Sequence, residues 1–331
     1  MPGKTLWPAP ILTRRTEVLA SSKGSGVMQF FERFPDEDAC LQHIFETKWG
    51  THSPCPSCGQ VGGWTKIKGT KKWRHRCRKH LSPLKDTVLY RSNLSLTAWF
   101  YALLLFANTS IGVRSGFIRR QLGIGHMGAY RMCRMIRVHM ASMARPEMLG
   151  GEGKTVHIDE VHLRHIMHPK RGKCESAIVL GMSCDGQVLS GVVPDRTTAT
   201  LIPLILERVR PGSKIITDML PGYQKLTDYG FEHVRINHSA AFHDFAGHTN
   251  NEIEAYWSTL RRMFRASRQV QRQNLWTFLA EVEFKYNRRH AKHLIFDELI
   301  SNFPPHNTSD TRALRERFEW STHPSMPCPR D

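Results

Sequence analysis

The chain has 331 residues and a hydrophobic fraction of 40%, which leaves room for two or three packed domains. Its 47 Lys and Arg against 29 Asp and Glu give a formal net charge of +18, so we expect a polyanionic partner, either nucleic acid or an anionic membrane surface. There is no apolar run long enough to span a bilayer and no signal-peptide pattern. The eight cysteines are too sparse for a disulfide scaffold and favour a reducing compartment.

The N-terminal part predicts a flexible arm and then a helix. Residues 1–27 mix Pro, Gly, Ser and Lys without periodicity, which is typical of an arm without fixed structure. Residues 28–49 carry apolar side chains at helical spacing, and Pro35 divides them into two pieces. We therefore assign residues 28–92 to an N-terminal domain that begins with this helix.

The same domain contains a pattern typical of a zinc ribbon. A CxxC pair is followed about twenty residues later by CxxH, and a strand-like hairpin lies between the two pairs. His75 is an alternative to the final histidine. The spacing predicts one structural Zn²⁺ held by Cys55, Cys58, Cys77 and His80.

Basic residues interleave with tryptophans along this hairpin, as on surfaces that face phosphates. A solvated charged hairpin is the alternative. The candidates for contact with DNA are Lys71, Lys72 and Arg74.

Residues 93–145 predict a helix-turn-helix. After a first helix that Ser95 can cap, a short helix ends at Gly123 and a longer one begins near His126. Arginines recur every three residues along the longer helix, and such a row can reach base edges or phosphates. The predicted reading residues are Arg131, Arg134 and Arg137.

Residues 155–293 predict an α/β domain. Three consecutive strands cover residues 155–162, 176–183 and 188–193, and helices then alternate with strands up to residue 237. This is the element order of an RNase H-like core. Residues 294–331 read as a C-terminal tail that is Pro-rich from Pro304.

A late helix near residues 250–264 carries an isolated carboxylate beside a buried face. At 100° per residue, Glu254 lies within about 40° of Ser258, Arg261 and Arg265, whereas Glu252 lies about 160° away. A carboxylate on such a basic stripe suits a metal ion beside a phosphate backbone. An exposed Glu–Arg pair is the alternative. We count Arg261 and Arg265 among the DNA-binding candidates.

Three acidic residues are predicted to converge. Asp159 lies in the first strand of this domain, Asp218 ends the fourth strand and Glu254 lies on the late helix. The first and fourth strands are neighbours in an RNase H-like sheet. Carboxylates that meet repel each other unless cations lie between them, and hard oxygen ligands suit Mg²⁺ or Mn²⁺. The pattern predicts a site that cuts phosphodiesters with two metal ions.

Several motifs, in this order, resemble the DDE transposases of bacterial insertion sequences and the related Merlin elements. The matching stretches are HIDEV, TDMLPGY, RINHS, HTNNEIEAYWSTLRR and FKYNRR. The resemblance implies that Asp159, Asp218 and Glu254 are catalytic, that transposon ends and target DNA are partners, and that a dimer or higher assembly holds two ends. The chain departs from the family in having His80 where a cysteine is usual and Met219 where many members have glycine.

Three further residues are candidates for accessory roles. Glu160 follows Asp159, so its side chain is expected on the other strand face, paired with a basic neighbour or acting as a metal ligand. His238 and His248 flank a late loop and are candidates for DNA contact or for ordinary structural hydrogen bonds.

Two alternatives to a transposase remain open at this stage. One is a transposase-derived DNA-binding protein without catalysis, which the intact acidic residues disfavour. The other is an RNase H-like nuclease, which the zinc ribbon and helix-turn-helix disfavour. The expected location is the cytoplasm or nucleoid in a bacterial host and the nucleus in a eukaryotic one.

Overall fold

A computed structural model describes residues 26–50, 53–110, 112–143, 145–167, 174–236, 251–267, 270–304 and 310–320. The chain forms a mixed α/β structure, as predicted. The predicted arm before residue 26, together with His238 and His248, lies outside the described residues. Among the described helices, none is both long enough and apolar enough to cross a bilayer.

The N-terminal elements form a helix pair with a small sheet attached. Helices α1 (Val27–Arg33) and α2 (Glu37–Lys48) are separated at Pro35, which confirms the predicted break. Phe45 of α2 stacks on buried Trp73 with ring centroids 4.5 Å apart, so the small sheet packs against α2. Its three antiparallel strands are β1 (Trp64–Lys66), β2 (Trp73–His75) and β3 (His80–Leu81).

Three helices follow. The Ser95 side chain caps the first of them by accepting from the Ala98 amide, as predicted. The second helix ends at Gly123, whose φ of 62° is in the left-handed region, where glycine is favoured. The helices are α3 (Leu96–Asn108), α4 (Ser115–Leu122) and α5 (His126–Ser142).

The remainder contains a second sheet with helices around it. One of the helices predicted before residue 237 is a 3-10 helix (Pro221–Tyr229). The strands are β4 (Leu149–Gly150), β5 (Thr155–Met167), β6 (Cys174–Cys184), β7 (Gln187–Val193), β8 (Val209–Arg210), β9 (Lys214–Thr217), β10 (Glu232–Arg235) and β11 (Val270–Gln271). The helices are α6 (Thr198–Arg208), α7 (Asn251–Ser267), α8 (Leu275–Asn287), α9 (Ile295–Ser301) and α10 (Asp310–Glu316).

The order of the main sheet is β10-β9-β5-β6-β7, with β11 also paired to the far end of β5. Strands β5, β6 and β7 are antiparallel, whereas β5, β9 and β10 are parallel. Thr155 pairs with Lys214 and His157 with Ile216. The first and fourth long strands are therefore neighbours, as the prediction of the acidic site requires.

Helices cover both faces of this sheet. One face packs against α7 and α8, and its apolar cluster continues through α3, α5 and α9 to α2. The other face packs against α6 and the 3-10 helix. The long apolar runs of β6 and β7 follow from this, because a strand covered on both sides must be apolar on both sides.

The predicted C-terminal tail is structured over part of its length. Helix α9 buries Ile295, Phe296 and Leu299, and buried Trp320 lies against Gly191, where any Cβ would overlap its ring. The Trp320 amide also donates to the Val192 carbonyl over 2.8 Å. The burial of large apolar side chains such as Trp320 stabilises this segment despite its prolines, because burying an indole removes a large apolar area from water.

Candidate functional site

Two of the three predicted acidic residues meet at the edge between β5 and β9. The register of the parallel pair places Asp159 level with Asp218, which directly follows β9. One oxygen of each of the carboxylates of Asp159, Glu160 and Asp218 lies within 4.8 Å of the others. All three residues are partly buried, and we call this cluster the acidic recess. Oxygen donors of this kind suit Mg²⁺ or Mn²⁺.

Asp159 is held from the α7 side of the sheet. The indole Nε1 of Trp257 donates to its Oδ2 over 2.8 Å. The Trp257 ring lies on Gly181, which is the β6 partner of Asp159, and a Cβ at Gly181 would overlap the ring. This glycine therefore permits the close approach of α7 that fixes the carboxylate.

Glu160 is held from the opposite side of the sheet. Tyr223 donates its hydroxyl to Oε2 over 2.8 Å, and Arg196 forms an ion pair with Oε1 at 3.2 Å. The expected basic neighbour is thus Arg196. The Glu160 side chain is only 4% exposed, and one of its carboxylate oxygens lies within 4.8 Å of those of Asp159 and Asp218.

The electrostatics of the recess favour a cation. Burial raises the pKa of Asp159 to about 6, and the negative charge of Glu160 adds to the rise, whereas the Trp257 hydrogen bond opposes it. Burial, together with the charge and hydrogen bond of Glu160, also raises the pKa of Tyr223. A raised carboxylate pKa means that the charged form is disfavoured until positive charge arrives. The donors present therefore fit a divalent metal ion.

Glu254, the third predicted acid, is not among the three carboxylates that lie within 4.8 Å of each other. It precedes Trp257 by three residues, so both lie on neighbouring positions of α7. Its side chain is exposed, as are those of Ser258, Arg261 and Arg265 on the same stripe.

Glu252 is directed away from that stripe. Its carboxylate accepts from the Gly186 amide in the turn between β6 and β7, and its residue is partly buried. The predicted separation of Glu252 from Glu254 on α7 agrees with these surroundings. Glu252 thus has a structural contact of its own.

The cysteine cluster corrects one ligand. The residues whose ligand atoms lie within 4.8 Å of one another are Cys55, Cys58, His75 and Cys77. His80, the predicted fourth ligand, is exposed on β3 directly opposite Arg74 of β2. Directly paired residues share one face of a sheet, and neighbours along a strand alternate, so His80 lies on the face that His75 does not use.

Two edges of this cluster match a tetrahedral metal site, and a third, from Cys77 Sγ to His75 Nδ1, is shorter at 3.1 Å. The Sγ atoms of Cys55 and Cys77 are 3.7 Å apart, and the Sγ of Cys58 is 3.6 Å from His75 Nδ1. Around Zn²⁺, standard bond lengths give edges of about 3.8 Å between sulfurs and about 3.6 Å between sulfur and nitrogen. His75 is 2% exposed, as expected for a ligand that closes a structural site.

In the zinc-ribbon hairpin, an aromatic side chain is buried and the basic candidates for DNA contact are exposed. Trp73 is buried against α2, so it is not available for stacking on bases. Lys71, Lys72 and Arg74 are all exposed, and Lys71 forms an ion pair with Glu37. Of the predicted phosphate contacts, Lys71 would have to give up this ion pair to bind a phosphate.

The arginine row on α5 does not form a single surface. Arg131 is exposed, and Arg134 is partly buried with its Nε 3.4 Å from Asn274 Oδ1. Arg137 is buried, with its Nε donating to Glu281 and its Nη2 to the Val113 carbonyl, both over 2.7 Å. The prediction that Arg137 contacts DNA is therefore wrong. Positions three apart rotate by about 60° per step around a helix, which carries the third arginine into the core.

Comparison with known proteins identifies the class. Residues 148–287, which run from β4 to the end of α8, match the family of ISXO2-like transposase domains. A Haemophilus influenzae protein described as an uncharacterized transposase-like protein is 32% identical over 111 residues, covering 34% of this chain and 88% of the relative. The chain belongs to the ISXO2-like transposases, the insertion-sequence type of DDE transposase.

Proposed function

We propose that this transposase cuts DNA at transposon ends and joins the 3′-hydroxyls to target DNA, using divalent metal ions held by Asp159, Asp218 and Glu254. The observation that carries the proposal is the meeting of Asp159 and Asp218 on adjacent parallel strands, inside the stretch that matches the family. The strand order further supports an RNase H-like sheet for residues 155–293.

The residues around the recess have distinct roles in this proposal. Asp159 and Asp218 bind the metal from the sheet, and Trp257 orients Asp159 through its indole hydrogen bond. Glu254 completes the site from α7 in this proposal, because its carboxylate is exposed and lies three residues before Trp257, which contacts Asp159. A metal ion held there would supply the Lewis acidity needed to activate a water or a 3′-hydroxyl and to stabilise the leaving oxygen.

We propose that DNA ends are recognised by the parts of the chain before the sheet. Residues 28–92 supply a zinc ribbon with Lys72 and Arg74 outward, and residues 93–145 supply a helix-turn-helix. The short α4, the Gly123 turn and the exposed side chains His126, Met127, Tyr130 and Arg131 in the first half of α5 support the second assignment. Because cutting and joining requires two ends held together, we infer a dimer or higher assembly on DNA.

The test of this function is incubation of the purified protein with Mg²⁺ and the DNA that flanks its own gene. We expect nicks at the element ends and joined products. Normal binding of end DNA without any nicking would instead leave a DNA-binding protein without catalysis.

The two glutamates of α7 separate the catalytic role from a structural one. Glu254→Gln removes the charge needed for metal binding, so we expect no cutting of end DNA. Glu252→Gln keeps an oxygen that accepts from the Gly186 amide, so we expect normal cutting. Nicking assays with both variants measure this. The opposite result would move the metal site to the other side of α7.

The α5 arginines give a second matched pair. If Arg131 reads a base, Arg131→Ala should weaken specific binding by about 1–3 kcal/mol and leave stability unchanged. Arg137→Ala leaves the fully buried Glu281 with one fewer partner, so we expect about 3–5 kcal/mol of destabilisation instead. Binding titrations and denaturant unfolding distinguish the two. Equal loss on every DNA sequence would assign Arg131 to a phosphate.

A further inference from the structure

A second recess lies on a flank of α7 away from the acidic cluster. It is a cavity of about 670 Å³ between the end of α3, the middle of α7 and the C-terminal end of α8. The described residues that line it include four hydroxyl side chains and no Asp or Glu. Its basic and imidazole side chains are Arg262, Lys285, Arg289, His290, Lys292 and His293.

Two of these cations are already used within the fold. Lys285 forms an ion pair with buried Glu281 at 2.6 Å and donates to the Thr109 carbonyl over 2.9 Å. Arg289 donates to the carbonyls of Gly186 and Tyr286. Lys285 and Arg289 thus bind the carbonyls of Thr109 and Tyr286 at the C-terminal ends of α3 and α8, where basic side chains are favoured.

For the other four basic and imidazole side chains, the described residues supply no comparable ion pair. Within the part of the chain that the structure describes, Arg262, His290, Lys292 and His293 form no ion pair. Arg262, His290 and Lys292 are exposed at the mouth of the cavity. Among the described residues, the hydrogen-bond partner of Arg262 is the hydroxyl of Thr259, at 3.5 Å. Donors that converge on a concave surface without acidic partners suit an oxyanion.

The position of the cavity relates it to the proposed active site. Arg262 is eight residues after Glu254 on α7, which corresponds to about 12 Å along the helix and about 80° around it. That length equals about three to four nucleotide steps along a duplex. A strand lying on the exposed stripe of α7 would thus bring later phosphates to this flank.

We propose that the cavity binds backbone phosphates of the DNA strand that flanks the cut bond. This inference rests on the proposed function. The shared chemistry is a phosphate oxyanion, which a free polyphosphate would also offer. The cavity then acts as an anchor that fixes how the strand crosses the acidic recess.

The test compares two double variants that each remove one Arg and one Lys. Arg262→Ala with Lys292→Ala empties the cavity mouth of two charges. Arg210→Ala with Lys225→Ala removes the same charges from exposed positions elsewhere, near the α6 side of the sheet. Binding of end DNA is measured without divalent metal, so the result does not depend on catalysis. We expect the cavity variant to lower the salt dependence of log K by about 0.9 for each lost phosphate contact. The control should keep the wild-type slope.

Two further arms separate the outcomes. Shortening the flanking duplex by several base pairs should abolish the difference between wild type and the cavity variant. Tripolyphosphate is added in a thermal-shift assay to find any binding of free polyphosphate. A normal slope in the cavity variant, with DNA binding intact, overturns the inference and leaves the proposed function standing. Stabilisation by tripolyphosphate alone, with no effect on DNA, also overturns it. A wild-type protein that binds no DNA overturns both.

Discussion

Asp159→Asn and Asp218→Asn will each abolish cutting of end DNA while the protein still folds. Each change keeps the side-chain shape and removes a charge that metal binding needs. Loss of a residue that only orients a metal ligand costs about 10- to 100-fold, so loss of a ligand should cost more than about 100-fold. Nicking assays on wild type and both variants measure this.

The controls for this prediction are stability and DNA binding. Burial and neighbouring charge raise the pKa of Asp159 to about 6, so its charge opposes folding at neutral pH. Because the pKa of Asp159 is raised in the folded protein, the free energy of unfolding falls as the pH rises from the ordinary pKa of 3.8 to the folded pKa of about 6. Above that pH the loss of stability is complete. Asn at position 159 should therefore leave the melting temperature unchanged or slightly higher. Cutting by both variants would remove this mechanism.

The choice of metal gives a separate check on the wild type. Mn²⁺ should replace Mg²⁺ in the cutting reaction, whereas Ca²⁺ should support DNA binding but not cutting.

Replacing His75 with Ala will remove the zinc and unfold the small sheet. Metal analysis of the wild type should give about one Zn²⁺ per chain, and the variant should give none. The effect is large because structural zinc contributes about 10–16 kcal/mol to folding in small zinc-finger peptides. Since Trp73 of the same strand stacks on Phe45, loss of the sheet should also expose part of α2.

Matched variants separate the metal role from simple packing. His80→Ala should keep the zinc, because His80 lies on the other face of the strand pair. His75→Cys should also keep it, because a thiolate supplies the same donor position. If His80→Ala loses the metal and His75→Ala retains it, the ligand set reverts to the one predicted from the CxxH spacing.

Sequence patterns succeeded where chain order decides the geometry. The strand succession was sufficient to make β5 and β9 neighbours and hence to bring Asp159 and Asp218 together. Sequence patterns were insufficient where the register of a strand pair or the rotation of a side chain around a helix decides which residues meet. Both His75 and His80 fit ribbon spacing, and the pairing of β2 with β3 and the burial of His75 separate them.

The partners of buried polar groups also could not be predicted from the sequence. A buried Trp needs a partner for its indole N–H, so a hydrogen bond from Trp257 was foreseeable, but not that Asp159 accepts it. The Arg137 contact with Glu281 likewise joins α5 to α8 across 144 positions of sequence. Spacing on one helix does not reveal such a partner.

The most direct measurement is the anomalous scattering of Mn²⁺ in crystals of the protein bound to end DNA. The proposed function predicts Mn²⁺ in contact with carboxylate oxygens of both Asp159 and Asp218, with the Glu254 carboxylate turned onto the same metal site. Crystals of Asp159→Asn prepared in the same way should show this density reduced or lost. Well-ordered DNA beside α7 with no Mn²⁺ on Asp159 or Asp218 would contradict it.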